Sequence, residues 1–191
     1  MVWDHGSPLP EWEFDMMQRM LTCGLLLTAL ATGGRGADVP AKTAPAHPGL
    51  EKMKALAGTW VEADKDGKPT DKVVSVIKVI AGGSAVQETT FPGQPMEMMS
   101  VYHADGADLV MTHYCVLGNQ PRMKADPKSP ANQIKFLFAG GTNFDPAKDM
   151  HMHEATLTFV GADHIEITGV AWVGGKPAPD HCGCMKLVRK K

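Results

Sequence analysis

The chain has 191 residues and a mass of 20.5 kDa, enough for one full domain with its own core and too short for two of ordinary size. With 43% hydrophobic and 21% charged residues and a formal net charge of -2, it is composed like an ordinary globular protein. It lacks the basic excess that holds a phosphate backbone, which excludes nucleic acid as the expected partner.

The first segment reads as a targeting signal. Met17-Gln18-Arg19-Met20 supplies a short basic start, residues 21–31 (LTCGLLLTALA) are an apolar run too short to span a bilayer, and Ala29-Leu30-Ala31 has the small-x-small form of a cleavage site. Upstream, Asp4, Glu11, Glu13 and Asp15 stand without a Lys or Arg, the wrong charge for a signal, so translation is expected to start at Met16 or Met17. Residues 1–31 are therefore read as a signal peptide, and the protein as exported, periplasmic or extracellular, with no stable membrane span. The competing reading is a cytosolic amphipathic helix, against which stands the run's apolar character on every face. Cleavage leaves a near-neutral chain with Cys115, Cys182 and Cys184 in an oxidising compartment, an odd number that leaves one thiol unpaired in a monomer.

Residues 32–49 are mostly Gly, Ala and Pro with almost no bulky side chain, too little apolar surface to offset the entropy of ordering, and predict a flexible tether. The folded domain is expected over residues 50–191. It opens on a short helix over 50–56 (LEKMKAL), where Leu50, Met53 and Leu56 share one face at helical spacing. From there the pattern changes to period two, predicting strands over 58–63, 73–81, 84–91, 96–104, 109–117, 133–139, 150–160, 165–173 and 182–189. Asp66-Gly67, Gly82-Gly83, Pro92-Gly93, Asp105-Gly106, Gly161-Ala162 and Gly174-Gly175 supply the turns between them. Residues 118–130, with Pro121, Pro127 and Pro130, predict a long loop at one end. Consecutive strands on short turns make an antiparallel meander, and closing about eight to ten of them into an up-and-down barrel removes the exposed edges.

Gly58-Thr59-Trp60, on the first strand just after a short helix, resembles the G-x-W signature of lipocalins and their calycin relatives. Arg189 on the last strand matches the lipocalin Arg that packs over that Trp, so the resemblance gives Gly58, Trp60 and Arg189 a structural role at the barrel base. More broadly, residues 56–190 resemble a family of exported bacterial lipocalin-like proteins of unknown function. Thr112-His113-Tyr114-Cys115, Gly118-Asn119-Gln120-Pro121-Arg122-Met123, His151-Met152-His153 and Leu157-Thr158-Phe159-Val160 carry that likeness. It implies an all-β, lipocalin-like barrel with a lumen for a small molecule. The further lipocalin motifs and the usual lipocalin disulfide pattern are absent from this sequence.

Strand parity sorts the side chains, because alternate residues point to opposite faces. Over 150–160 the set His151, His153, Ala155, Leu157 and Phe159 is read as inward, with Met152 and Glu154 outward. Leu109, Met111, His113, Cys115 and Leu117 form the inward set of their strand, Ile134, Phe136 and Phe138 of the next, and Ile165, Ile167, Gly169 and Ala171 of the strand before last. The lumen is thus expected to be apolar at one end and imidazole-rich at the other.

His113, Cys115, His151 and His153 are the candidate ligand-binding residues, and neutral imidazole with thiolate is a donor set for zinc or copper. Haem held by one His, an organic ligand, and histidines satisfied by water and hydroxyls are the other readings of the same residues. A cupin-type metal site is disfavoured, since Glu154 faces away from His151 and His153. Asn119, Gln120 and Arg122 read either as a cover that closes over the mouth and holds an anionic group or as ordinary turn residues, and Phe136 and Phe138 are expected to line the lumen. Met96, Met98, Met99, Met150 and Met152 fit core filling better than copper(I) ligation. His181, Cys182 and Cys184 near the C-terminus offer a metal clip, but parity turns both cysteines outward, so the preferred reading is a redox-active surface pair, whose i, i+2 spacing on a strand strains a disulfide. No G-x-S-x-G, Walker loop or HExxH is present, so the reading leans away from an enzyme, the alternative being acid/base chemistry by His113, His151 and His153. The sequence is read as an exported barrel that binds a small molecule.

Overall fold

The computed structural model describes residues 46–191, apart from Cys182 and the side chain of His181. The expected signal peptide, nearly all of the tether and the thiol of Cys182 lie outside the described residues. No described helix is long and apolar enough to cross a membrane.

The helix α1 spans Pro48–Lys54, two residues earlier than the periodicity predicts. Local chemistry sets that start: Pro48 occupies the first turn, where its missing N–H costs nothing, and His47 Nδ1 accepts a hydrogen bond from the Leu50 N–H at 3.3 Å. Glu51 in the first turn and Lys52 and Lys54 in the last oppose the helix dipole favourably. The helical face that the sequence shows, Leu50, Met53 and Leu56, is buried in the main core.

The strands follow as β1 (Gly58–Ala63), β2 (Pro69–Ile80), β3 (Ala85–Thr90), β4 (Met98–Asp105), β5 (Asp108–Tyr114), β6 (Gln120–Ala125), β7 (Gln133–Thr142), β8 (His151–Phe159), β9 (His164–Val173), β10 (Lys176–Pro177) and β11 (Gly183–Arg189). Sequential antiparallel pairing runs from β1 to β9, and β11 then pairs with both β9 and β1, so that ten strands close a barrel. The fold is all-β, as the period-two pattern predicts, with α1 ahead of the first strand. The two-residue strand β10 extends a hairpin with β9 through Gly174 and Gly175, whose φ values of 60° and 70° meet the need of a two-residue turn for left-handed backbone.

The expected loop over 118–130 is corrected: β6 lies inside it. Pro121 argues against a strand because it cannot donate to a ladder. It sits near the start of β6, where β6 pairs only with β7, beside a register shift. Beyond it the alternation is plain, with Pro121 and Met123 buried and Arg122 and Lys124 exposed.

Where β7 shifts register against β6, Gly141 packs under the Phe144 ring. A Cβ at Gly141 would fall 2.8 Å from the Gln120 backbone oxygen and collide with that ring. Gly141→Ala is therefore expected to destabilise the barrel by about 1–3 kcal/mol, the usual range for overpacking, measured by urea unfolding. An unchanged midpoint would show that the ring moves aside freely.

At the helix end of the barrel, Trp60 is fully buried and its indole Nε1 donates to the Leu56 carbonyl at 2.9 Å. Arg189, directly opposite Trp60 in the β1–β11 ladder, holds its guanidinium 4.5 Å from the Trp60 ring centroid. The same guanidinium donates to the carbonyls of Ala57 (2.7 Å) and Ala55 (3.0 Å) and pairs with Asp163 at 3.2 Å. Gly58 has φ 139°, and a Cβ there would stand 3.1 Å from an Arg189 nitrogen. One side chain thus satisfies carbonyls after α1, covers the indole and ties in the β8–β9 turn.

Candidate ligand-binding lumen

The barrel interior is unequally filled. Near α1 it is packed, with Met53, Leu56, Ile77, Phe136 and Leu157 around a void of only about 20 Å³. Toward the other end it opens into a cavity of about 530 Å³ whose lining is mostly apolar, with Met98, Met111, Met150, Met152, Ile167 and Met185 prominent. Phe91, Met96, Val116 and Leu117 also border this space, and Met96 and Leu117 are more than half exposed, which marks an open, apolar mouth.

One sector of the lumen wall, on β3 to β5, is polar. Glu88, Ser100 and His113 are consecutive cross-strand partners on β3, β4 and β5, so the pleat places all three on the inner face. Glu88 is 5% exposed and accepts hydrogen bonds from Ser75 Oγ (2.8 Å) and from the Tyr102 hydroxyl (2.6 Å). Burial, then the neighbouring Glu88, pushes the Tyr102 hydroxyl well above its ordinary value, so it stays a donor. His113 shares a 2.9 Å hydrogen bond with Ser100 Oγ, and burial pulls its imidazole down to about 4, so the ring is neutral at physiological pH. Thr90 completes this polar sector of the lining. Glu88, Tyr102, Ser75 and Ser100 were not singled out from the sequence. Their signal is the alternation Val86, Glu88, Thr90, which puts a carboxylate on the inward parity of a strand.

The four candidate ligands His113, Cys115, His151 and His153 do not form one constellation. His113, Cys115 and His151 border the cavity; His153 does not. The cause is a bulge in β8 between Met152 and Glu154, where the pairing with β9 slips by one residue. The parity reading of this strand is corrected accordingly. Met152 stands opposite Ala171 and lines the lumen, and His151 stands opposite Trp172. His153 stacks on Trp172 with centroids 3.8 Å apart and on Phe138 at 4.6 Å.

His151 is fully buried, packed on Phe138 (5.0 Å) and Phe144 (4.7 Å). Its Nδ1 lies 2.9 Å from the Asp149 carbonyl, which can only accept, so Nδ1 carries the proton. The other ring nitrogen, Nε2, shares a hydrogen bond with His153 Nδ1, also at 2.9 Å. His153 is lowered from the ordinary imidazole value, first by burial and then by His151. This imidazole pair is committed to itself and to the surrounding rings. Among the described residues, no three His, Cys, Asp or Glu side chains stand together as a metal-ligand set.

Other expected mouth residues are placed differently. Arg122 is exposed on the outer face of β6, and Gln120 is held by Gly118, Thr142 and Asn143, so neither reaches the lumen. Asn119 is buried, its Nδ2 donating to the Met150 carbonyl at 2.8 Å, and it fastens the β5–β6 turn to the start of β8. Phe136 belongs to the packed end, and Phe138 to the ring cluster beneath His151 and His153. Cys115 and Cys184 are free thiols, the first half-buried at the cavity and the second exposed.

No protein-family model matches the chain, and no curated protein matches it. The functional reading rests on the barrel and its lumen.

Proposed function

We propose that this protein is an exported binding barrel that takes up a small, largely apolar molecule carrying one polar end. The observation that supports it most is the cavity of about 530 Å³, apolar around most of its wall, with Glu88, Thr90, Ser100, Tyr102 and His113 as a polar sector and His151, Cys115 and Cys184 also on its border. Its size falls in the usual range for small-molecule pockets, and a mostly apolar wall with a few convergent polar groups is how such pockets fix orientation. Methionines suit this wall, since a flexible, polarisable side chain adapts to ligands of varied shape. The exposed apolar mouth offers a ligand a path that does not cross a charged rim. Export rests on the apolar run at residues 21–31 and its small-x-small end.

The test is the fluorescence of N-phenyl-1-naphthylamine, a neutral dye that brightens in apolar surroundings, titrated into the purified protein. Gly169 faces the lumen, where an added Cβ meets only Met152 Sδ at 3.8 Å. Gly169→Phe should fill that space and weaken dye binding by about tenfold or more, a loss of roughly 1.4 kcal/mol. His153→Ala, off the lumen, should leave it within about twofold. Far-UV circular dichroism checks that both variants keep the barrel. Absence of saturable dye binding to the unmodified protein would reject the reading.

A further inference from the structure

The lumen wall has an electrical sign. Among the described residues lining either part of the interior there is no Lys and no Arg, whereas Glu88 is buried between both parts. Its two carboxyl oxygens accept one hydrogen bond each, from Ser75 and from Tyr102, both hydroxyl donors. Two neutral hydroxyls do not cancel a charge, and a buried carboxylate without a cation is costly in an apolar setting. Elsewhere in this protein acids pair with bases at the surface, as Glu154 does with Lys135 at 2.8 Å and Asp108 with Lys124 at 2.7 Å. Glu88 has no such partner among the described residues lining the lumen.

Resting on the lumen reading above, the geometry points to a lipophilic amine, protonated at its polar end, as the class of molecule this barrel binds. The ammonium replaces the missing counter-cation. A carboxylate has about four acceptor sites, and Ser75 and Tyr102 use two of them, so acceptor capacity remains on Glu88. Ser100 and Thr90, bordering the same space, offer hydroxyl oxygens for the other N–H groups. Tyr102, His113, Cys115, His151 and Cys184 are the other titratable side chains that border this space, and burial keeps His113, beside Ser100, uncharged at neutral pH, so it does not repel a cation. The apolar tail then lies along Met98, Met111, Met152, Ile167 and Met185 toward the mouth. A fatty acid fits this wall poorly, because its carboxylate would meet Glu88 with no positive group beside it.

Three compounds sharing one tail, decylamine, decanol and decanoate, separate head-group recognition from tail burial when each displaces the naphthylamine dye at pH 7. An alkylamine, like a lysine side chain with its ordinary value of about 10.4, is charged there. Decylamine should displace dye at a concentration about tenfold below decanol, with decanoate weakest. In Glu88→Gln the ratio of amine to alcohol should fall to about one while decanol changes by no more than about twofold. Dye binding with decanol or decanoate equal to or better than decylamine would overturn the amine assignment and leave the lumen reading standing. No dye binding at all would overturn both. If Glu88→Gln does not fold, the ranking on the unmodified protein alone decides.

Discussion

Trp60→Ala is expected to lower the unfolding free energy by about 3–5 kcal/mol, the range for truncating a buried large aromatic. The residue is fully buried, and its removal acts on several elements together. The indole fills the space between β1 and the chain following α1, its N–H satisfies the Leu56 carbonyl, and its face supports Arg189. Without the ring, Arg189 loses a stacking partner while still reaching Ala55, Ala57 and Asp163, so the turn after α1 keeps part of its restraint. Arg189→Ala should therefore cost less than Trp60→Ala, and Arg189→Lys should recover little, because an ammonium cannot stack flat on the indole and serve two carbonyls as well. Urea titrations of the three variants give the order directly. A loss below about 1 kcal/mol for Trp60→Ala would mean that this end is held by α1 packing alone.

The barrel was legible because its information is periodic. A strand with one face buried must alternate, and β3 and β5 do so over most of their length, as does β8 from Ala155 onward. Gly58, Trp60 and Arg189 were legible too, through the spacing of a short motif and its partner on the last strand. Parity fails wherever one residue is inserted, because a single bulge exchanges the two faces of everything beyond it. The bulge in β8 has no marker among Met152, His153 and Glu154, and it carried His153 out of the lumen and Met152 in. Pro121 misled in the opposite direction, since a proline at the end of a ladder is compatible with a strand although the residue type argues against one. Glu88 was missed for a different reason. A search for imidazole and thiolate clusters passes over a single acid, whose meaning depends on Ser75 and Tyr102 on the strands beside it and on the lack of a described basic neighbour lining the lumen.

Acidification should weaken the fold through His113, independently of any ligand. Unfolded, this imidazole takes up a proton near its ordinary value of 6.5; folded, burial delays uptake until about 4. Between those values the unfolded chain binds more protons, so stability falls as pH falls. The contribution of the neutral buried ring is fully present above 6.5 and is lost as the pH drops to about 4, amounting to about 3 kcal/mol over that window. His153, also lowered, acts in the same direction, but its partial exposure leaves its share to solvent screening. The carboxyl of Asp145, lowered mainly by its hydrogen bond with Lys148, acts below this window, in the carboxylate range. Urea midpoints between pH 7 and pH 4 should thus slope steeply for the unmodified protein. His113→Asn, which keeps a polar side chain near Ser100 without a titrating ring, should flatten most of that slope at some cost at pH 7. A slope unchanged in His113→Asn would place the acid sensitivity elsewhere and show that His113 is hydrated enough to titrate normally.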